Sequence, residues 1–204
     1  MEPFSGWRTL RRYVAGLVLC AVLGWFAFAK AEPVPLLSLV DLGFHELGHL
    51  LTYVLPPVIT AAIGSITQVL VPLGLATYFL LRRDRLGGGA CLAWAATSAQ
   101  NASVHVADAP FQRLHLIGGQ HDWAFVLGPR HLNMLDKAHV IAAIVHGAGL
   151  FMLLAGVAVC VSGAFVTLKH ESMPGEQVHA PVDMSSWGTD DPRRRNANGE
   201  LLPL

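Results

Sequence analysis

The chain has 204 residues, 53% of them hydrophobic and 14% charged, and its formal net charge is zero. A soluble domain carries roughly 25% charged residues, so this composition points to a membrane protein and away from a freely soluble one. With Arg193, Arg194 and Arg195 as its one basic block, the chain offers no surface for nucleic acid, and none is expected as a partner.

The first apolar segment covers residues 13–29 and follows Arg8, Arg11 and Arg12. Basic flank, apolar run and the string Ala27-Phe28-Ala29-Lys30-Ala31 have the form of a signal peptide. The expectation adopted is an uncleaved transmembrane helix, because further spans follow against which it can pack.

Residues 36–55 form the second segment, with Asp41, His45, Glu46 and His49 as its only carboxyl and imidazole groups. It is long enough to cross a bilayer, and ionisable groups at that depth are costly enough to suggest a function. His45-Glu46-Leu47-Gly48-His49 is an H-E-x-x-H pattern. On a helix, the i, i+4 spacing puts both imidazoles on one face, where they can reach a single metal ion. Glu46 lies beside that ion and can take a proton from the attacking water. The bland alternative is a satisfied polar cluster inside an apolar helix. Pro56-Pro57 ends the segment, since proline cannot continue the hydrogen-bond ladder.

The third segment, residues 61–81, contains Gly64 and Ser65, small enough for close helix contact, and Gln68. Gln68 must face protein, either in an interhelical hydrogen bond or in contact with substrate backbone. Gly87-Gly88-Gly89 reads as a hinge or turn. In the fourth segment, residues 90–107, several polar residues interrupt the apolar pattern. Asn101, His105 and Asp108 stand at i, i+4 and i+7, one helical face that must turn inward rather than to lipid.

Residues 110–137 form a polar connection. Gly118 and Gly119 give its backbone freedom, and Gln120-His121-Asp122-Trp123 follows. Asp122 is either the N-cap of a short helix or, like His121, a metal ligand; Trp123 has the character of an interfacial anchor. The last apolar stretch, residues 138–168, is too long for one straight span, with small-residue packing positions at Gly147, Gly149 and Gly156 and with His146 inside it. Cys20, Cys91 and Cys160 lack metal-binding spacing and read as small buried hydrophobes. Residues 169–204 have the composition of a disordered tail.

The expected architecture is therefore all-α: a polytopic transmembrane helix bundle of about five spans over residues 1–168, followed by the disordered tail. A catalytic Zn2+ needs a third protein ligand beside His45 and His49. Asp108, His121 and Asp122 are the candidates, with His105 a further possibility on the helix of Asp108. Asp41, one turn before His45, could orient a ligand imidazole.

The sequence F-H-E-L-G-H within a membrane segment resembles the site-2 protease family of intramembrane zinc metalloproteases. In that family a G-P-x-x-N-like element follows the motif helix; Gly64-Ser65-Ile66-Thr67-Gln68 is similar to it, with Ser for Pro and Gln for Asn. His121-Asp122-Trp123 is similar in position to the later aspartate element, where the family usually has Asp-Gly. The chain also resembles a group of small bacterial membrane proteins sharing F-H-E-L-G-H, a later A-D-A and H-D-W. The resemblance covers about residues 37–135, and H-E-x-x-H is its specific part. It implies His45, His49 and Asp122 as ligands of Zn2+ and Glu46 as catalytic base. It further implies a transmembrane or membrane-adjacent peptide substrate, and a place in the bacterial inner (plasma) membrane. His121 is chemically as good a ligand, and Asp108 stays a candidate. Two rival readings keep the metal: a zinc-dependent lipid or amide hydrolase, and a non-catalytic metal-binding or metal-transporting protein whose ten histidines help line an ion path.

Overall fold

The computed structural model describes residues 5–114 and 121–172. Every regular element among them is helical, and a helix satisfies its own backbone hydrogen bonds. The first helix, α1 (Ser5–Gly24), passes into a π-helical turn, Trp25–Lys30, which ends at Ala31 in the left-handed region. Helix α2 (Leu37–Thr52) carries the H-E-x-x-H pattern. Helix α3 (Pro57–Leu81) begins with a proline, whose missing N–H would have had no partner in the first turn. Arg83, also left-handed, turns the chain into α4 (Arg85–Asp108), and the Asp84 carboxylate caps α4 by accepting the Gly87 N–H at 3.0 Å. After α5 (Asp122–Leu127) and a 3-10 turn, Leu135–Lys137, comes α6 (Ala138–Ser172).

The expected hinge at Gly87-Gly88-Gly89 is instead the opening of α4. The reason is tertiary. A Cβ on Gly89 would stand 2.9 Å from the Gly156 carbonyl, and one on Gly156 2.8 Å from the Gly89 carbonyl. Here α4 and α6 meet backbone against backbone, and that packing offsets the entropic cost of glycine in a helix, about 0.5–1 kcal/mol each. Gly149 repeats the arrangement against Ala96, whereas Gly147 faces open space.

Three stretches are long and apolar enough to span a membrane: Leu10–Lys30, Pro57–Leu81 and Leu135–Lys169. Of the other two expected spans, α2 has 16 residues and a rise of only about 24 Å. Helix α4 is diluted by polar side chains because it is the inner helix: Ala93, Ala95, Ala96, Ser98, Ala99, Ala102 and Val106 are all buried. Small and polar residues suit a helix surrounded by protein, while Leu50, Leu51 and Phe151 stand exposed on the outer helices. Helix α6 runs unbroken for 35 residues. That is about 52 Å of rise, more than the roughly 30 Å needed to cross a bilayer's hydrocarbon. Cys20 and Cys160 are fully buried in a cluster with Leu23 and Ala93, and Cys91 is half-buried. Residues 169–172 of the expected tail continue α6, while its remainder and the Gly118-Gly119 pair lie outside the described residues.

A second apolar cluster positions the site. Val126 and Leu127 of α5 are buried against Ala61, Val106, Ala109, Ala138 and Ala142. Burial of two such side chains contributes about 1.5–3 kcal/mol each, which fixes a helix too short to be stable alone.

Candidate metal centre

The site begins where α2 crosses α3 at two glycines. A Cβ on Gly48 would lie 3.0 Å from the Ile63 carbonyl and 3.1 Å from the Gly64 Cα. A Cβ on Gly64 would lie 2.6 Å from His49 Nε2 and 2.8 Å from His45 Nε2. The two imidazoles therefore rest on the bare backbone of α3, with their ring centres 4.7 Å apart.

Each ring is oriented through Nδ1. His49 Nδ1 lies 2.8 Å from the Thr60 carbonyl, an acceptor, so it carries the proton. His45 Nδ1 lies 3.2 Å from Gln68 Oε1. The Gln68 amide donates through Nε2 to the Ser98 carbonyl at 3.2 Å, which turns its oxygen toward His45 and again places the proton on Nδ1. Both Nε2 atoms then present lone pairs to the same space.

Asp122 completes the group. Its Oδ2 is 3.1 Å from His45 Nε2 and 3.3 Å from His49 Nε2. One atom from each of His45, His49 and Asp122 lies within 4.8 Å of the other two, a grouping that could hold a metal ion. Burial opposes the Asp122 charge; when the imidazoles are protonated, their hydrogen bonds and charge outweigh it and hold the carboxyl below its usual range.

Sequence neighbours of Asp122 explain its placement. His121 is the N-cap of α5, its Nδ1 accepting the Ala124 N–H at 3.3 Å. This leaves its proton on Nε2, buried and 3.4 Å from Asp108 Oδ2, in ion-pair range but too poorly directed for a hydrogen bond. Asp108 in turn accepts the Arg113 and Leu114 N–H groups. His121 and Asp108 thus pair with each other outside the three-residue group, and fasten the start of α5 to the end of α4. Trp123 donates from Nε1 to Ser65 Oγ at 3.0 Å, fastening α5 to α3.

Asp41 does not orient an imidazole. Side chains on a helix lean toward its N-terminus, which carries Asp41 away from His45 and into α4. There its Oδ1 accepts Trp94 Nε1 at 2.7 Å and Ser98 Oγ at 2.8 Å. The orienting groups are Gln68 and the Thr60 carbonyl. Gln68 makes an interhelical bond and holds His45 at once. A backbone carbonyl has no signature in sequence, and Ser98 appears there only as a polar interruption.

A cavity of about 330 Å³ adjoins the group, lined among others by Leu39, Leu42, Glu46, Asn101, His105 and Trp123. That volume falls within the range of small-ligand sites. Glu46 is exposed at its edge, and its carboxylate has no hydrogen-bond partner among the described residues. Comparison with family models, curated proteins and solved structures finds no match to this chain.

Proposed function

We propose that the protein is an integral membrane, zinc-dependent hydrolase of site-2 protease type that cleaves peptide bonds in or near the membrane. In this reading α2 and α4 complete a five-span bundle with the three long apolar helices, in the bacterial inner membrane. His45, His49 and Asp122 hold the ion, and Glu46 is the general base.

One observation carries the reading. With both Nδ1 protons engaged, two imidazole lone pairs and a carboxylate oxygen converge, and such atoms repel unless a proton or a cation lies between them. Two histidine nitrogens and one carboxylate oxygen are the donor set of catalytic zinc sites that keep a fourth position open. Zinc held there would polarise a carbonyl and acidify water toward a pKa of about 7. The chain's own residues do the rest. Glu46, next to a ligand and without a hydrogen-bond partner among the described residues, can receive the proton of the attacking water and return it to the leaving amine. Gln68 and Thr60 keep the rings in the ligand tautomer. The apolar outer face of α2, with Leu50 and Leu51 about two-thirds exposed at 68% and 69%, brings membrane-embedded segments to the cavity. A helical substrate must unwind to expose its bond, because helical carbonyls are already hydrogen-bonded.

The test is metal analysis of detergent-purified protein with a cleavage assay on a transmembrane reporter peptide. Wild type is expected to carry about one zinc per chain, and His45→Ala and His49→Ala to lose most of it. Glu46→Gln should keep the zinc and lose cleavage. Unchanged zinc in both histidine variants would remove the site. A Glu46→Gln protein with zinc and an intact cellular phenotype would favour a metal carrier over a hydrolase.

A further inference from the structure

Around the metal-side cavity, some polar groups are used up in building the site and others are left for an occupant. Gln68 is engaged at both ends, by His45 and by the Ser98 carbonyl. Ser65 accepts from Trp123, and His121 is held by the Ala124 N–H and Asp108. On α4 the situation differs. Asn101 and His105 line the cavity, and the Asn101 carboxamide and His105 Nε2 have no hydrogen-bond partner among the described residues. His105 Nδ1 lies 3.0 Å from the Asn101 carbonyl one turn back, so it carries the proton and Nε2 presents a lone pair. The cavity wall formed by α4 is therefore an acceptor at His105 beside a carboxamide at Asn101 that can both donate and accept.

We infer that Asn101 and His105 form the substrate-recognition wall of this site, with His105 Nε2 accepting a hydrogen bond from a substrate N–H, so that the site selects amides over esters. The inference rests on the metal-hydrolase reading and goes beyond it by naming residues that contact substrate. An amide bond brings an N–H to the acceptor and a carbonyl to the carboxamide, whereas an ester has no N–H. A site whose half-buried acceptor is left unpaired by the wrong ligand rejects that ligand more strongly than a mere gap in packing would. The expected contact with substrate backbone thus moves from Gln68 on α3 to Asn101 on α4.

The experiment uses the full chain in detergent micelles, loaded with Co2+, and two chelating probes. Acetohydroxamate and N-methylacetohydroxamate both bind a metal through two oxygens, but only the first has an N–H. Their dissociation constants are read from the visible spectrum of the cobalt. Wild type should prefer acetohydroxamate by about tenfold, the size of one lost buried hydrogen bond. His105→Phe should bring the two probes to within about twofold, because its ring keeps the volume but offers no acceptor. His105→Gln, which restores an acceptor, should restore a preference. If His105→Phe does not fold, His105→Ala serves in its place. Equal affinity for both probes in wild type, or an undiminished preference in the apolar variant, would overturn the inference. A wild-type protein that takes up no cobalt would overturn the metal-centre reading itself, and is distinguishable because no cobalt spectrum appears at all.

Discussion

Gly64 shows how tightly one residue constrains the site, because both imidazoles lie where its side chain would be. Gly64→Ala must displace His45 and His49 together, and zinc affinity should fall at least about tenfold by competition with a chelator. Gly43, on the same helix as the motif, is the control, because a methyl group there would meet nothing within 4 Å. Gly43→Ala should leave zinc affinity unchanged and stabilise α2 by about 0.5–1 kcal/mol. Gln68→Leu removes the acceptor for His45 Nδ1 and frees the ring to change tautomer. It should lower metal affinity about 10–100-fold while the helices stay packed, which circular dichroism alongside zinc titration would reveal. His45 and His49 could be paired from sequence because their spacing is local. The partner of Gln68 could not, because His45 lies on another helix.

Among the elements, α4 is rich in buried residues, and one of its ties to α2 is the buried Asp41 carboxylate, 5% exposed. Asp41→Ala would leave the Trp94 indole N–H and the Ser98 hydroxyl without their carboxylate acceptor, at about 1–3 kcal/mol per unsatisfied group. The thermal midpoint in micelles should fall by several degrees, with zinc binding reduced only through loss of folded protein. Trp123→Phe tests α5 instead. It deletes the bond to Ser65 but keeps most of the buried ring, so metal affinity should fall more than stability. If the midpoint falls and affinity does not, α5 is not what presents Asp122. The three glycines of α4 show the limit of local reading at this scale. Their propensity indicates a turn, and only the close approach of α6 makes them helical.

For the molecule as a whole, the metal would join α2 to α5 across 73 or more positions of chain, from His49 to Asp122. An ion that binds the folded state alone stabilises it by about 2.7 kcal/mol at a free concentration 100 times its dissociation constant. Removing zinc with a chelator should therefore lower the thermal midpoint of wild type, and should have little effect on His45→Ala or His49→Ala. Equal shifts in all three proteins would mean that the chelator acts elsewhere.

Residue order alone was enough for the helical class, for helices apolar enough to span a membrane, for the pairing of His45 with His49, and for placing Asn101 and His105 on an inner face. Each follows from composition or from spacing within one helix, where geometry is set by 3.6 residues per turn. It took the packed helices to show that Asp122 stands beside the imidazoles while its neighbour His121 caps α5 against Asp108. Adjacent residues at a helix start point in different directions. Which of them meets α2 depends on how Val126, Leu127 and Trp123 seat the short helix, and no local pattern encodes that docking.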